Sequence, residues 1–211
     1  MSLLRRIEVL ELAEANRDYR ALYAASLRAA VRGLWSGVIS PAQFSDSMFI
    51  AIRKHLAMAW EEGAARCGVL LSDYSPEEVA ALRAVIQAEY GYVAPFGVDI
   101  GAGSQANGGK LAPFIARTEL WANRYTEVVG QAEMMACGDE KFEWLLGRVK
   151  TEHCADCKRL HGKVKRASTW AKANIHPQSH ALECNGYHCK CRFEKTDKPV
   201  TPGPLPRLAN A

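Results

Sequence analysis

Five of the chain's seven cysteines fall within 38 residues near its C-terminal end. Cys154 and Cys157 are separated by two residues, a spacing that lets two thiolates converge on one ion from a tight turn. Cys189 and Cys191 form a second pair, and Cys184 lies five residues before it. Structural zinc takes four ligands in a tetrahedron. The sequence therefore predicts a structural Zn²⁺ bound by Cys154, Cys157, Cys189 and Cys191, with Cys184 as the substitute ligand.

The alternatives to metal binding are that these cysteines form a disulfide or remain free buried thiols. The N-terminus lacks the apolar run and cleavage site of a signal peptide, so we expect folding in a reducing cytoplasm, where clustered cysteines more often bind metal. Cys67 and Cys137 lie in helical segments and are expected to be small core residues. The histidines that offer a nitrogen ligand instead are His153, His161, His176, His180 and His188.

Positive charge is concentrated around the cysteines. Residues 150–198 contain 11 Lys and Arg against 5 Asp and Glu, whereas the rest of the chain contains 16 basic and 18 acidic residues. This asymmetry predicts an anionic partner such as nucleic acid, and a solvated basic surface is the alternative. Contacts of this kind would reach phosphates without reading bases. The candidate nucleic-acid-binding residues are Lys158, Arg159, Lys163, Lys165 and Arg166.

The elements before this segment are predicted to be helices. Residues 3–32 contain no Pro or Gly and are rich in helix formers. Ser40-Pro41 and Ser75-Pro76 each begin a helix, with Gln or Glu three residues after the serine to complete a capping box. A third helix is predicted over residues 111–137. The positions expected to be buried are Phe44, Met48, Phe49, Ile52, Leu56 and Trp60 in one helix, and Phe114, Leu120, Trp121, Tyr125, Val128, Val129 and Met134 in another.

The remaining segments have other signatures. Residues 91–109 are rich in Gly and predict a flexible connector. Phe142, Trp144, Leu146 and Val149 partly alternate, as in a strand. Four prolines after residue 198 favour an extended tail that lies on a neighbour or on its own domain, with a disordered end as the alternative. The sequence contains no stretch of about 18 apolar residues, so no membrane helix is predicted.

We therefore expect a mainly α fold. A helical N-terminal region over residues 1–110 precedes a small α+β module over residues 111–195, which contains the zinc site, and an extended tail over residues 196–211 follows. The zinc would stabilise a segment with few large apolar residues. Burial of so few apolar side chains does not by itself offset the conformational entropy that the segment loses on folding.

Residues around the cysteines resemble a known family. Phe142-Glu143-Trp144, Cys154-x2-Cys157-x2-Leu160-x-Gly162, Trp170 and the closing Cys189-x-Cys191 resemble the C-terminal module of phage Mu F-like head-morphogenesis proteins. Ala116-Arg117-Thr118-Glu119 resembles the helix that precedes this module. The resemblance covers residues 110–195, and residues 1–109 match only as a helical region. The closing segment departs from the usual His-Pro-x-Cys-Arg-Cys pattern, because His188 abuts Cys189 and Cys184 is additional.

The resemblance implies that the chain is a minor head protein and not an enzyme. Such proteins associate with the portal or the major capsid protein, lie inside the virion head, and assist head assembly and the packaging or delivery of DNA. The implied locations are the virion and, during assembly, the host cytoplasm. Nonspecific contact with packaged DNA is an implied possibility, and membrane association is not expected.

Two other functions compete with this one. A zinc-containing HNH-like nuclease would combine cysteine pairs with a histidine, and His176 and His180 lie among the cysteines. Nuclease chemistry needs a general base and an open metal position, which a thiolate-filled site lacks. The second competitor is a nonspecific DNA-binding zinc protein, although the helical N-terminal region offers no recognition-helix pattern.

Overall fold

The computed structural model describes residues 18–148, 152–186 and 189–210. Within these ranges the chain forms seven α-helices and three short strands, and the strands alternate with the last two helices near the C-terminal end. The expected mainly α fold is therefore confirmed. The helices are α1 Tyr19–Trp35, α2 Pro41–Ala65, α3 Pro76–Tyr90, α4 Val93–Ala102, α5 Ala112–Ala136, α6 Ala155–Leu160 and α7 Ala167–Lys172, and the strands are β1 Lys141–Leu145, β2 Val164–Arg166 and β3 Arg192–Lys195.

Both predicted capping boxes are present. The hydroxyl of Ser40 accepts from the backbone N–H of Gln43 at 3.2 Å, and the Gln43 side chain accepts from the Ser40 N–H at 2.8 Å. Ser75 and Glu78 make the same pair of bonds at the start of α3, at 3.2 and 2.9 Å. Each box satisfies two N–H groups that a helix start would otherwise leave without partners.

Helices α1, α2 and α5 enclose the first core. The predicted stripe of α2 is fully buried at Phe44, Met48, Ile52, Leu56 and Trp60, while Phe49 is half-buried. Helices α2 and α5 come into backbone contact at Gly63, because a Cβ there would lie only 2.8 Å from the Cβ of Ala132. Residues 3–17, the first part of the predicted N-terminal helix, lie outside the described residues.

Residues 91–109 do not form the flexible connector that their composition predicts. Helix α4 and a short 3₁₀ turn, Gln105–Asn107, occupy most of this segment. Phe96 and Ile100 of α4 are fully buried in the first core, and Gly97 lies against the ring of Phe44. Burial of these apolar side chains outweighs the poor helix propensity of the glycines.

Helix α5 matches its prediction closely and connects two cores. Trp121 and Tyr125 belong to the first core, and Met134 belongs to the second. Leu120 is 52% exposed, so its predicted burial is wrong, and Phe114 is half-buried. By packing, most of α5 belongs with the N-terminal helices, although the sequence places residues from 111 onward in the C-terminal module.

The second core lies beneath a three-stranded antiparallel sheet in the order β2-β1-β3. Strand β1 alternates as predicted, with Phe142 and Trp144 buried, whereas Val149 lies outside the described residues. The rings of Trp144, Trp170 and Phe193 pack together with centroid separations of 5.0–6.0 Å. The indole of Trp170 also donates to the carbonyl of Phe142 at 3.2 Å.

The proline-rich tail is extended and lies on its own module. The N–H of Thr201 donates to the carbonyl of Val164 at 2.9 Å, which adds the tail beside β2. Lys165 donates through Nζ to the carbonyls of Thr201 and Gly203, both at 2.6 Å. Leu208 is buried in the second core. The tail is therefore a structural part of the module. This agrees with the expectation that it lies on its own domain.

Cys67 and Cys137 are joined in a disulfide that the sequence did not predict, although Cys137 is buried in the second core as expected and Cys67 packs against it. Cys67 follows α2 and Cys137 ends α5, and their Cα atoms lie 5.3 Å apart, within the usual range for a disulfide. Sequence spacing gave no sign of this pair, because 70 positions separate the two residues.

No helix in the described parts of the chain is both long enough and apolar enough to cross a membrane.

Candidate metal centre

Helix α6 places the first two cysteines. Cys154 is the N-terminal cap of this short helix, and its sulfur accepts from the backbone N–H of Cys157 at 3.4 Å. The turn that caps the helix therefore also brings both sulfurs to one side, as the two-residue spacing predicts. Cys157 is buried and Cys154 is half-buried.

Strand β1 and the segment before β3 place the second pair. Cys189 and Cys191 are both buried, immediately before β3 begins. Gly147, just after β1, allows this segment to approach, because any Cβ there would collide with the backbone of Lys190. The backbone N–H of Gly147 helps to lower the pKa of the Cys191 thiol. An N–H aimed at sulfur is an arrangement that stabilises a thiolate.

The five cysteines meet in two triads that share Cys157. Cys154, Cys157 and Cys184 form one triad, and Cys157, Cys189 and Cys191 form the other, with all sulfurs in each triad within 4.8 Å of one another. The sulfurs of Cys157 and Cys189 are 3.9 Å apart. Tetrahedral zinc with Zn–S bonds of about 2.3 Å places its sulfurs about 3.8 Å apart.

The structure thus brings the four predicted ligands and the substitute together as two triads joined at Cys157, and no four of these sulfurs lie within 4.8 Å of one another. Cys184 lies within 4.8 Å of Cys154 and Cys157, and it forms no triad with Cys189 or Cys191. The choice of four among five sulfurs remains a prediction.

The thiols of this cluster do not ionise independently. Hydrogen bonds to Cys184, then to Cys189 and Cys191, raise the pKa of Cys157 far above its usual value. Hydrogen bonds from Cys157 and then Cys189 lower the pKa of Cys191 to about 4. Ionising more of these sulfurs without a cation would place like charges side by side. A divalent cation removes that repulsion, which is the chemistry expected of a thiolate metal site.

Trp144 completes one wall of the cluster. Its buried indole nitrogen has no hydrogen-bond partner in the described part of the chain, and it helps to lower the pKa of the Cys191 thiol. An indole N–H at this position stabilises negative charge on sulfur. Sequence reasoning treated Trp144 as an apolar strand residue and as part of the family motif, and it did not place the indole beside the cysteines.

Asp156 is the site residue that sequence reasoning missed. Its buried carboxylate accepts from the N–H of Glu183 at 2.8 Å and of Ala209 at 3.1 Å, and it pairs with Arg159. Burial alone would raise the pKa of Asp156, but these bonds outweigh it and lower the pKa. Asp156 therefore ties α6 to the segment before Cys184 and to the tail. Its place inside the first cysteine pair was the only available signal.

The candidate histidines lie in different places. The Nδ1 of His153 is 4.0 Å from the sulfur of Cys191, so His153 borders the cluster. The Nδ1 of His161 lies 3.4 Å from the carbonyl of Trp144. His176 and His180 lie in turns beside Glu127 of α5, at 3.9 and 2.8 Å from its carboxylate. His188 lies outside the described residues.

The predicted phosphate-contacting residues are unequally available. Lys165 is buried and bonded to the tail, so it is removed from this set. Lys158 pairs with Glu152 at 3.0 Å, and Arg166 pairs with Asp139 at 3.6 Å. Lys158, Arg159 and Arg166 are exposed, and Lys163 is half-buried. These four residues lie on the module that contains the cysteine cluster.

Comparisons of the chain with protein-family models, with curated proteins and with solved structures found no match. Functional inference for this chain therefore rests on its own residues and geometry.

Proposed function

We propose that the C-terminal module is stabilised by one structural Zn²⁺ ion bound to the cysteine cluster. The observation that supports this is the convergence of five sulfurs from three separate segments, around residues 154–157, 184 and 189–191. Each segment is short and contributes few large apolar side chains. A metal that joins all three contributes folding free energy that the small core lacks.

The ligand type favours a structural role over a catalytic one. Four thiolates fill the tetrahedron of zinc and leave no position for water or substrate. Cys157 and Cys191 are each only 1% exposed, so substrate has little access to the centre. The HNH-like nuclease therefore remains the weaker proposal, since it needs an open metal site.

We infer that the chain acts as a minor head protein of the phage Mu F-like type. Support comes from the motif residues that resemble that family: Leu160 and Trp170 are buried in the same core as the cysteines, so the motif forms one structural unit. In this proposal the chain binds the portal or the major capsid protein. The exposed residues Lys158, Arg159 and Arg166 would contact packaged DNA without sequence preference.

The zinc proposal is tested by native mass spectrometry of the purified chain. We expect one zinc per chain in the wild type and none in Cys157→Ser, because Cys157 belongs to both triads. Loss of the metal should unfold the module, which near-ultraviolet circular dichroism of Trp144 and Trp170 would report. As the matched control, a Cys67→Ser, Cys137→Ser double variant should keep its zinc. A metal-free wild type with a folded module would contradict the proposal.

The head-protein proposal is tested separately on intact particles. The chain should co-purify with portal and capsid proteins from particles and stay with them after extensive washing. Gel shifts on unrelated duplexes should show equal affinities that fall steeply with salt, since phosphate contacts release counterions. Absence of the chain from particles, or Mg²⁺-dependent plasmid cleavage lost in His180→Ala, would contradict the proposal.

A further inference from the structure

A second site lies apart from the cysteines. A cleft of 360 Å³ opens where α3 and α5 meet residues 176–186, and no cysteine lines it. Its size suits part of a small organic ligand. The side chains of its lining determine which ligand chemistry it accepts.

Ionic groups in the lining of the cleft are paired with one another. Arg124 bonds through Nε to Glu89 at 2.6 Å and also pairs with Glu127, and both carboxylates are buried. The other cation of the lining, Arg117, pairs with Asp99 at 2.6 Å. One guanidinium between two carboxylates has no positive charge left to offer, so the cleft disfavours a phosphate or a carboxylate, and the neutral surface around these groups suits an uncharged ligand.

The sides of the cleft contain aromatic and aliphatic surface. Tyr92 and Leu120 are 59% and 52% exposed, and both line the cleft beside Trp121. Solvent-exposed apolar side chains around a concavity are typical of a binding site. Aromatic side chains of this kind favour a planar ring that can stack on them.

Hydrogen-bonding groups surround the same opening. The side-chain oxygens of Asn123 and Asn185 already accept from Arg20 and Asn210, at 2.8 and 3.2 Å, which leaves their NH₂ groups to donate. Gln178 lines the cleft beside them. Carboxamides present a donor and an acceptor together, the pattern that matches the edges of nucleobases.

His180 adds a ring nitrogen to this set. Its Nδ1 lies 2.8 Å from the carboxylate of Glu127, which holds the imidazole in place. This contact leaves Nε2 as the nitrogen that can meet a ligand. The His180 side chain is 61% exposed, so a ligand in the cleft can reach it.

The backbone that presents two of these side chains is strained. Gln178 and Asn185 have φ angles of +64° and +50°, in the left-handed region that most residues avoid. Gly186 packs against the backbone of Gln178, where a Cβ would lie 2.8 Å from its carbonyl carbon. Strain of this kind often marks residues held in place for binding.

We propose that this cleft binds a nucleobase, either in a free nucleoside or as an unpaired base of single-stranded nucleic acid. The ring stacks on the aromatic side of the cleft, and Gln178 and His180 bond to its polar edge. None of the proposed zinc ligands lines the cleft, so with the wild-type chain this inference holds or fails separately from the proposed function.

Saturation-transfer NMR titrations on the full chain test the proposal. One arm uses the four deoxynucleosides, and the other uses unstructured hexanucleotides of a single base. Gln178→Gly removes the carboxamide and suits a positive φ, so it should fold normally yet weaken binding about fivefold, the loss expected for one hydrogen bond. Leu120→Trp fills the cleft from an exposed position and should abolish binding.

The matched control is Asn174→Gly. Asn174 also has a positive φ, +51°, but does not line the cleft, so the substitution relieves the same backbone strain and should leave affinity unchanged. Saturable binding of nucleosides identifies a free ligand, and binding of hexanucleotides alone identifies single-stranded nucleic acid. Binding of neither, or binding unchanged in both cleft variants, overturns the proposal.

Discussion

Buried carboxylates join distant segments of this chain. Asp156 bonds to the segment before Cys184 and to the tail, and Glu127 joins α5 to the turns that contain His176 and His180. A buried charge is costly unless it is paired and hydrogen-bonded, and both carboxylates are. Removing either one should therefore cost more stability than removing an exposed ion pair.

Glu127 makes stability depend on pH in a defined direction. Burial alone would raise its pKa, but the hydrogen bond to His180, with the nearby His176 and Arg124, outweighs burial and lowers the pKa to about 2. Since the unfolded value is near 4.5, the folded state is favoured above that pH, and the advantage is lost as pH falls towards 2. Urea unfolding across this window should show a larger loss in the wild type than in Glu127→Gln, which keeps only the smaller loss from other carboxylates such as Asp156.

The control for this prediction is Glu61→Gln, on the exposed side of α2. At neutral pH, Glu127→Gln should be less stable than the wild type by about 3 kcal/mol, as expected when one partner of a buried pair is removed. Glu61→Gln should stay within about 0.5 kcal/mol of the wild type. Parallel pH profiles for wild type and Glu127→Gln would contradict the assigned role.

At the scale of elements, the sequence predicts those features that depend only on residues close together in the chain. The serine caps of α2 and α3 need only neighbouring residues, and the stripe of α2 needs only helical periodicity. Helix α4 is different, because Gly97 and Gly101 are poor helix formers and its stability comes from burying Phe96 and Ile100 against other helices. Only the tertiary structure shows that partner surface.

The contact between α2 and α5 predicts the effect of one methyl group. Gly63→Ala would place a Cβ 2.8 Å from Ala132 and force two backbones apart, at a cost of about 1–3 kcal/mol. Gly101→Ala is the matched control, since a Cβ there meets open space and alanine favours helix, so stability should rise by up to about 1 kcal/mol. Thermal unfolding measures both changes, and equal shifts in the two variants would refute close packing at Gly63.

At the scale of the whole molecule, the sequence predicted which cysteines cluster and missed how the others pair. Cys154 and Cys157 are placed by one helical turn, so their spacing is informative. The position of Cys184 in the cluster depends on a contact with Asp156 and on packing between segments. Cys67 and Cys137 meet because α2 and α5 end side by side, a fact of helix packing that spacing in the sequence does not encode.

The disulfide between Cys67 and Cys137 yields a prediction that separates the two classes of cysteine. Alkylation of the denatured, chelator-treated chain should modify five cysteines without reductant and seven after reduction. Closing a loop with a sequence separation of 70 residues should stabilise the fold by about 4 kcal/mol, so reduction should lower the free energy of unfolding by that order. The Cys67→Ser, Cys137→Ser variant should be insensitive to reductant. Seven alkylated cysteines before reduction would show that these two thiols are free, as a reducing cytoplasm would favour, and that helix packing alone holds the ends of α2 and α5 together.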